Sequence, residues 1–259
     1  MKIKSTYSLV LLAATSTLLF SSPLLQASDT DGRIVSSAKK SYVFKTYLKD
    51  EKIKTKSKDG VVTLTGTVSE ANHKVLAENT VESLPGVKSV DNQLVVKGEA
   101  PAEHSDGWIG MKVKTALLFH RNVSAKSTDV YVKDGIVSLR GEAASVAERE
   151  LTAEYANDVE GVKEVKNEMT IAKNPKSPRT VGDKIDDASI TAQVKTALLS
   201  RRSTSAIKTK VSTLDGVVTI TGTAKNAAEK SLVTKLATNI EGVINVVNNM
   251  TVVVPVAAK

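Results

Sequence analysis

The residues best suited to catalysis are few in this chain, and their spacing does not bring them together. There is no cysteine, and the three histidines, His73, His104 and His120, are scattered. A thiolate nucleophile, a disulfide framework and a lipid-modified N-terminal cysteine are thereby excluded. None of the histidines has a partner at zinc-ligand spacing. Glu148 and Glu150 are two residues apart, so on a helix they point to different faces instead of pairing for acid–base work. Serines and threonines are plentiful, but no nucleophile elbow or Ser–Lys motif accompanies them. The glycines lie in turns and not in a phosphate-cradling run. The reading is of no catalytic residues, no metal ligands and no cofactor, hence of a protein that is not an enzyme.

What the chain does carry is charge. Its 259 residues hold 36 Lys+Arg against 28 Asp+Glu, a net +8. A basic excess can serve nucleic acid, but nine aromatic residues leave little for base stacking. The N-terminus also points elsewhere. Lys2 and Lys4 precede an apolar run over residues 9–20, Pro23 interrupts it, and Leu25-Gln26-Ala27 puts a small residue at a cleavage position. This three-part pattern reads as a signal peptide over residues 1–27, with the exported chain starting at Ser28. The run is shorter than the ~20 residues a membrane span needs, and no other stretch qualifies, so no transmembrane span is expected after processing. Outside the cytoplasm, positive charge meets anionic lipid head groups and other envelope polyanions, not nucleic acid.

A threefold repeat sets the elements that must position these groups. Asp59-Gly60-Val61-Val62-Thr63-Leu64-Thr65-Gly66 recurs as Asp134-Gly135-Ile136-Val137-Ser138-Leu139-Arg140-Gly141 and as Asp215-Gly216-Val217-Val218-Thr219-Ile220-Thr221-Gly222. A third glycine follows twenty residues later, at Gly86, Gly161 and Gly242, and an asparagine six after that, at Asn92, Asn167 and Asn248. Nine of the 14 glycines fall on this one ruler, which chance does not produce. Asp-Gly between β-branched runs predicts a hairpin turn. The second glycine, on the apolar face by parity, is expected to let a helix approach the sheet. The third is expected to end a helix in the left-handed region, and the asparagine to satisfy backbone groups. Leu76 and Leu84, Leu151 and Val159, and Leu232 and Ile240 mark a helix between the second and third glycines. Stripes at Ile109, Val113, Ala116, Leu117 and at Ile190, Val194, Ala197, Leu198 mark another ahead of the hairpin.

The fold class is therefore α+β: three tandem α-β-β-α-β domains, each a three-stranded mixed sheet packed against two helices. The units are placed at residues 36–97, 106–171 and 187–254, joined by linkers at 98–105 and 172–186 that carry Pro and Gly. Unit one departs from the others: from Thr46 to Gly60 there are fourteen positions, against twenty from Thr115 to Gly135 and from Thr196 to Gly216. That count predicts a link trimmed by six.

The ruler, with the Val-Lys-Thr-Ala-Leu-Leu of residues 113–118 and 194–199, resembles the BON domain, named for bacterial osmotically inducible and nodulation proteins. The resemblance covers nearly the whole exported chain. It implies a Gram-negative periplasmic location, a soluble or peripherally membrane-associated state and, in some members, phospholipid binding through the first helix. Charge is uneven among the units: +4 over residues 36–97, −1 over 107–171 and +5 over 188–252. Each basic residue near an anionic bilayer adds about 1 kcal/mol, although charge alone points more often to a solvated face with no partner. Trp108, the only tryptophan, begins helix one of unit two at the edge of the stripe that Ile109 opens, and indole rings suit the bilayer interface. The expected lipid-contacting set is Trp108, Ile109, Lys112, Lys114 and Arg121 in unit two, with Lys195, Arg201 and Arg202 in unit three. The expected function is an envelope-associated binder of anionic phospholipid that supports envelope integrity or osmotic stress tolerance, with envelope proteins as further partners. The alternative is a periplasmic chaperone or protein-interaction scaffold. A binder of cell-wall or surface polysaccharide is the third reading, disfavoured because it would want exposed aromatics and the chain has nine aromatic residues in all.

Overall fold

The computed structural model describes residues 23–98, 101–172, 185–199, 201, 204 and 209–253. The charged and apolar start of the expected signal peptide, Arg202 and most of the second linker lie outside them. Unit one runs α1 (Pro23–Lys40), α2 (Tyr42–Thr46), β1 (Lys52–Lys58), β2 (Val61–Val68), α3 (Ala71–Glu82) and β3 (Ser89–Val96). Unit two runs α4 (Asp106–Leu118), a 3-10 turn, β4 (Thr128–Lys133), β5 (Ile136–Ala143), α5 (Val146–Asn157), β6 (Glu164–Asn167) and β7 (Thr170–Ile171). Unit three repeats it as α6 (Asp187–Leu199), β8 (Thr209–Leu214), β9 (Val217–Ala224), α7 (Ala227–Thr238), β10 (Asn245–Asn248) and β11 (Thr251–Val252). In each unit the central strand pairs antiparallel with the strand before it and parallel with the strand after α3, α5 or α7. The last strand is continuous in unit one and split in the other two, so those sheets count four strands. Two long helices in each unit, α1 and α3, α4 and α5, and α6 and α7, cover one sheet face, where Val62 and Leu64, Val137 and Leu139, and Val218 and Ile220 are fully buried. The other face is left open.

The ruler residues hold the backbone. Asp59 and Gly60, Asp134 and Gly135, and Asp215 and Gly216 all have positive φ, the pair of left-handed residues that a type I′ hairpin needs. The two turn N–H groups donate to a carboxylate in the first helix: Asp31 at 2.7 and 3.0 Å, Asp106 at 2.8 and 2.9 Å, Asp187 at 2.8 and 2.9 Å. The second glycine does its work differently from the expectation. Gly141 has φ +116, and a Cβ there would stand 2.0 Å from the carbonyl oxygen of Ser127, the residue that leads into the paired strand β4. The obstacle is neighbouring backbone and not an approaching helix. Each asparagine behaves as expected, donating to a carbonyl 18 residues earlier (Lys74, Arg149, Lys230) and accepting from an N–H two residues later.

The same aspartates correct the reading of unit one. Asp31, Asp106 and Asp187 each precede their turn glycine by 29 residues, so no residues are missing from unit one. Its first helix is α1, the counterpart of Thr115 is Lys40, and α2 occupies the link. Tyr42 and Phe44 in α2, with Tyr47 directly after it, look apolar enough for this stretch to pass for the end of helix one, which is why the count from Thr46 misleads.

The units pack on one another. Residues of units two and three correspond at an offset of 81, and two isolated bridges, His120 with Ile240 and Val159 with Arg201, exchange under that offset. Units two and three therefore face each other across a pseudo-two-fold axis, as in an isologous dimer. Helix α3 of unit one lies across that pair. Asn72 donates to Thr115 at 3.0 Å and Asn79 to Thr196 at 3.2 Å. The acceptors are repeat equivalents, and the donors sit two helical turns apart. Unit one is fixed further by Tyr42 and Val43, whose N–H groups donate to Asp186 (2.7 Å) and Ser189 (3.1 Å).

Candidate functional site

The start of α4 is built around Trp108. Ser105 caps the helix, its Oγ accepting from the Trp108 N–H at 3.3 Å, and Asp106 is committed to the hairpin turn. Ile109, one residue on, is buried in the core at 2% exposure. Trp108 is rotated to the edge of that contact and is half-buried. Lys112, one turn later, places its ammonium 4.0 Å from the indole centroid and 3.0 Å from the Glu160 carboxylate. The His104 ring lies 5.0 Å from the indole, tilted at 56°. Among the described residues no protein acceptor meets the indole N–H, so it is left to solvent. The result is an apolar body with a wet edge and a cation above the ring, the composition that favours Trp at a bilayer interface.

The remaining expected contacts divide. Lys114 is exposed and lines a cleft of about 400 Å³ between units one and two, with Glu70, His73, Leu118 and Tyr131. Arg121 closes the end of α7, donating to the carbonyls of Thr238 (3.0 Å), Ile240 (2.9 Å) and Val243 (2.7 Å). Lys195 pairs with Glu82 of unit one at 2.9 Å. Arg201 is 1% exposed, with His120 Nε2 at 2.9 Å, Asp158 at 3.4 Å and the Tyr155 ring at 4.6 Å. Burial pushes its pKa down while Asp158 opposes the shift. His120 is held neutral, its pKa lowered to about 3 by burial and then by the Arg201 charge. Ile109 and Arg201 are therefore corrected from surface contacts to a core residue and an inter-unit tie. Arg202 lies outside the described residues. Much of the basic charge expected to face lipid instead joins the units.

Folding also assembles one cluster of catalytic residue types. Ser69, His73 and Glu51 meet at the start of α3, with His73 Nδ1 2.6 Å from Glu51 and Ser69 donating to the same carboxylate. A nucleophile relay needs serine and acid on opposite imidazole nitrogens. Here both are on Nδ1, and Glu51 also accepts the Ser69 backbone N–H at 2.9 Å. The trio ties β1 to α3.

A model of the BON domain matches residues 30–98, 105–173 and 186–254. The chain belongs to the BON domain family. It is 33% identical to osmotically-inducible protein Y of Escherichia coli (strain K12) over 147 residues, 56% of this chain and 71% of that protein. It is 28% identical to an uncharacterized protein of Anaplasma centrale over 143 residues, 55% of this chain and 91% of the relative. Among solved structures, the C-terminal domain of CdsD, a structural protein of the type III secretion system of Chlamydia trachomatis, matches with 17% identity and a TM-score of 0.23, over 85% of this chain and 98% of that one. The glycine ruler was thus sufficient to recognise the three BON units. Two features of theirs went unread. The turn-capping aspartates stand 28 residues ahead of Asp59, Asp134 and Asp215, a spacing visible in all three copies. The pairing of His120 with Arg201 has no local signal, because it depends on how two BON units meet.

Proposed function

We propose that this BON protein is exported, acts at the bacterial envelope in tolerance of osmotic stress, and docks peripherally on anionic phospholipid through the start of α4. Its 33% identity to an osmotically-inducible protein supports the stress role. The observation that carries the lipid reading is Trp108, half-buried, with Lys112 at 4.0 Å and its N–H open to solvent. No helix of the described residues is long and apolar enough to cross a membrane, which agrees with peripheral attachment. The electrostatic share is smaller than a count of basic residues suggests, since Arg121, Lys195 and Arg201 are engaged between units.

Flotation with neutral and anionic vesicles at two salt concentrations tests this. The wild-type chain floats with anionic vesicles, and its indole emission shifts to the blue. Trp108→Ala lowers the bound fraction severalfold at both salts, whereas Lys112→Gln lowers it chiefly at low salt, where screening is weak. Intact mass of periplasmic material should begin at Ser28. A second reading, as a protein scaffold or chaperone, is favoured by the open apolar residues of unit three, Leu214 at 73% and Ile244 at 78% exposure. It takes over if flotation and fluorescence ignore lipid charge while the chain suppresses aggregation of an unfolded client.

A further inference from the structure

The open sheet face of unit one carries a pattern that the proposed lipid contact does not use. Lys52, Lys54, Lys56 and Lys58 alternate along edge strand β1, and all four are exposed. At about 6.8 Å per two residues they form a row about 20 Å long. Across the ladder, Lys52, Lys54 and Lys56 face Thr67, Thr65 and Thr63 of β2, so a row of hydroxyls runs beside the row of ammonium groups. On this face β3 contributes Ser89, Asp91, Gln93 and Val95. Asp91, its one carboxylate, is two strands from the lysines and accepts from Gln93 at 2.6 Å. Among the described residues none of the four lysines forms an ion pair.

Lysines on an edge strand can serve simply to discourage sheet-to-sheet pairing. The other two units show that this fold does not require it. At the places of Lys54, Lys56 and Lys58, strand β4 has Asp129, Tyr131 and Lys133, and β8 has Lys210, Ser212 and Leu214. Both are edge strands of the same kind.

We propose that this face binds an anionic polysaccharide, an extended sugar chain bearing acidic groups, with the lysines meeting its charges and Thr63, Thr65 and Thr67 its hydroxyls. A linear row of cations fits a linear polyanion better than a compact one. Flexible lysine stems absorb the difference between the protein and sugar repeats. The face holds no aromatic ring on which a nucleobase could stack. Its exposed apolar residues, Val61 at one end of the central strand and Val95 near the other end of β3, are separated along the sheet, which gives a bilayer no patch to bury. Recognition by charge and hydroxyls also removes the need for the aromatics that a stacking sugar binder requires. This proposal does not rest on the lipid reading.

The test uses the full processed chain and a fluorescein-labelled mannuronate octamer, read by anisotropy at two salt concentrations, with a neutral dextran oligomer, a thymidine octanucleotide and anionic vesicles in parallel. Wild type binds the acidic octamer and not dextran. The Lys52→Gln, Lys54→Gln, Lys56→Gln, Lys58→Gln variant weakens binding about tenfold or more and flattens its salt dependence, as loss of released counterions requires. Thr63→Val with Thr65→Val keeps every charge and weakens binding about threefold. Trp108→Ala leaves it unchanged, so this site and the lipid site fail separately. Circular dichroism and urea midpoints confirm that each variant is folded, and Lys54→Gln with Lys56→Gln, giving an intermediate loss, replaces the fourfold variant if that one is not. Absence of octamer binding by wild type, or equal binding by folded lysine variants, overturns the proposal. So does lysine-dependent octanucleotide binding of equal strength, which would mean that charge alone is read. So does lysine dependence confined to vesicles, which would make the occupant a lipid surface.

Discussion

The outer sheet faces of units one and three occupy equivalent places on the same backbone, yet share almost no chemistry. Lys54, Lys56 and Lys58 face solvent in one, and Lys210, Ser212 and Leu214 in the other. Beneath them the turn, its capping aspartate, the second glycine and the asparagine recur unchanged. Side chains on the covered face and residues with positive φ determine whether the unit folds. Side chains on the open face are released from that demand, so they can diverge. Residues used between units are a third class: His120 and Arg201 are repeat equivalents, but the pseudo-two-fold brings one of each into a single buried contact.

The first class should be the least tolerant. Gly141→Val puts a β-branched residue at φ +116 and drives its Cβ toward the Ser127 carbonyl. Strain and the displaced backbone together should cost about 3–5 kcal/mol. Urea unfolding of the whole chain should show an early transition, and a loss under about 1 kcal/mol would mean that the ruler does not set the backbone.

The class between units predicts a pH effect. Folded His120 has a pKa of about 3 against an ordinary 6.5. Between those values the unfolded chain holds a proton that the folded chain does not. The stability of the junction is therefore complete above about pH 6.5 and declines as pH falls toward 3, by at most about 1.4 kcal/mol per pH unit. In His120→Gln this contribution to the slope disappears. The difference in urea stability between wild type and variant should shrink from pH 7 to pH 4, and a constant difference would show that His120 takes up its proton over the same range in the folded as in the unfolded chain.

These classes also explain how much the sequence disclosed. The ruler was legible because glycine and asparagine were needed at fixed places by backbone geometry, and three copies separated the requirement from accident. Asp31, Asp106 and Asp187 were legible in principle by the same spacing, but a carboxylate near a helix start is common enough to pass unremarked. The site was less legible. Trp108 could be placed at the edge of a stripe by a 100° rotation. Lys195, Arg121 and Arg201 could not be distinguished from solvated cations, since their partners Glu82, the end of α7, and His120 with Asp158 are 113, about 120, and 81 and 43 residues away. The lysine alternation of β1 was in plain view, and the binding proposed for it rests on the open face and the contrast with β4 and β8.

The smallest expected effect on stability gives the sharpest test of the comparison. Ser212→Lys with Leu214→Lys would extend Lys210 into a three-lysine row on unit three, beside Thr219 and Thr221 of β9. Leu214 is 73% exposed, so little apolar burial is lost, and like charges about 6.8 Å apart on a surface strand repel weakly in water. The urea midpoint should move by no more than about 0.5 kcal/mol. If the open face alone confers binding, this variant should gain affinity for the mannuronate octamer with unit one intact, and should retain measurable binding when the four lysines of β1 are glutamines. Stability unchanged without a gain in binding would show that the sugar is read by more than a lysine row beside threonines, and would direct attention to the unbroken β3 edge of unit one, which units two and three lack.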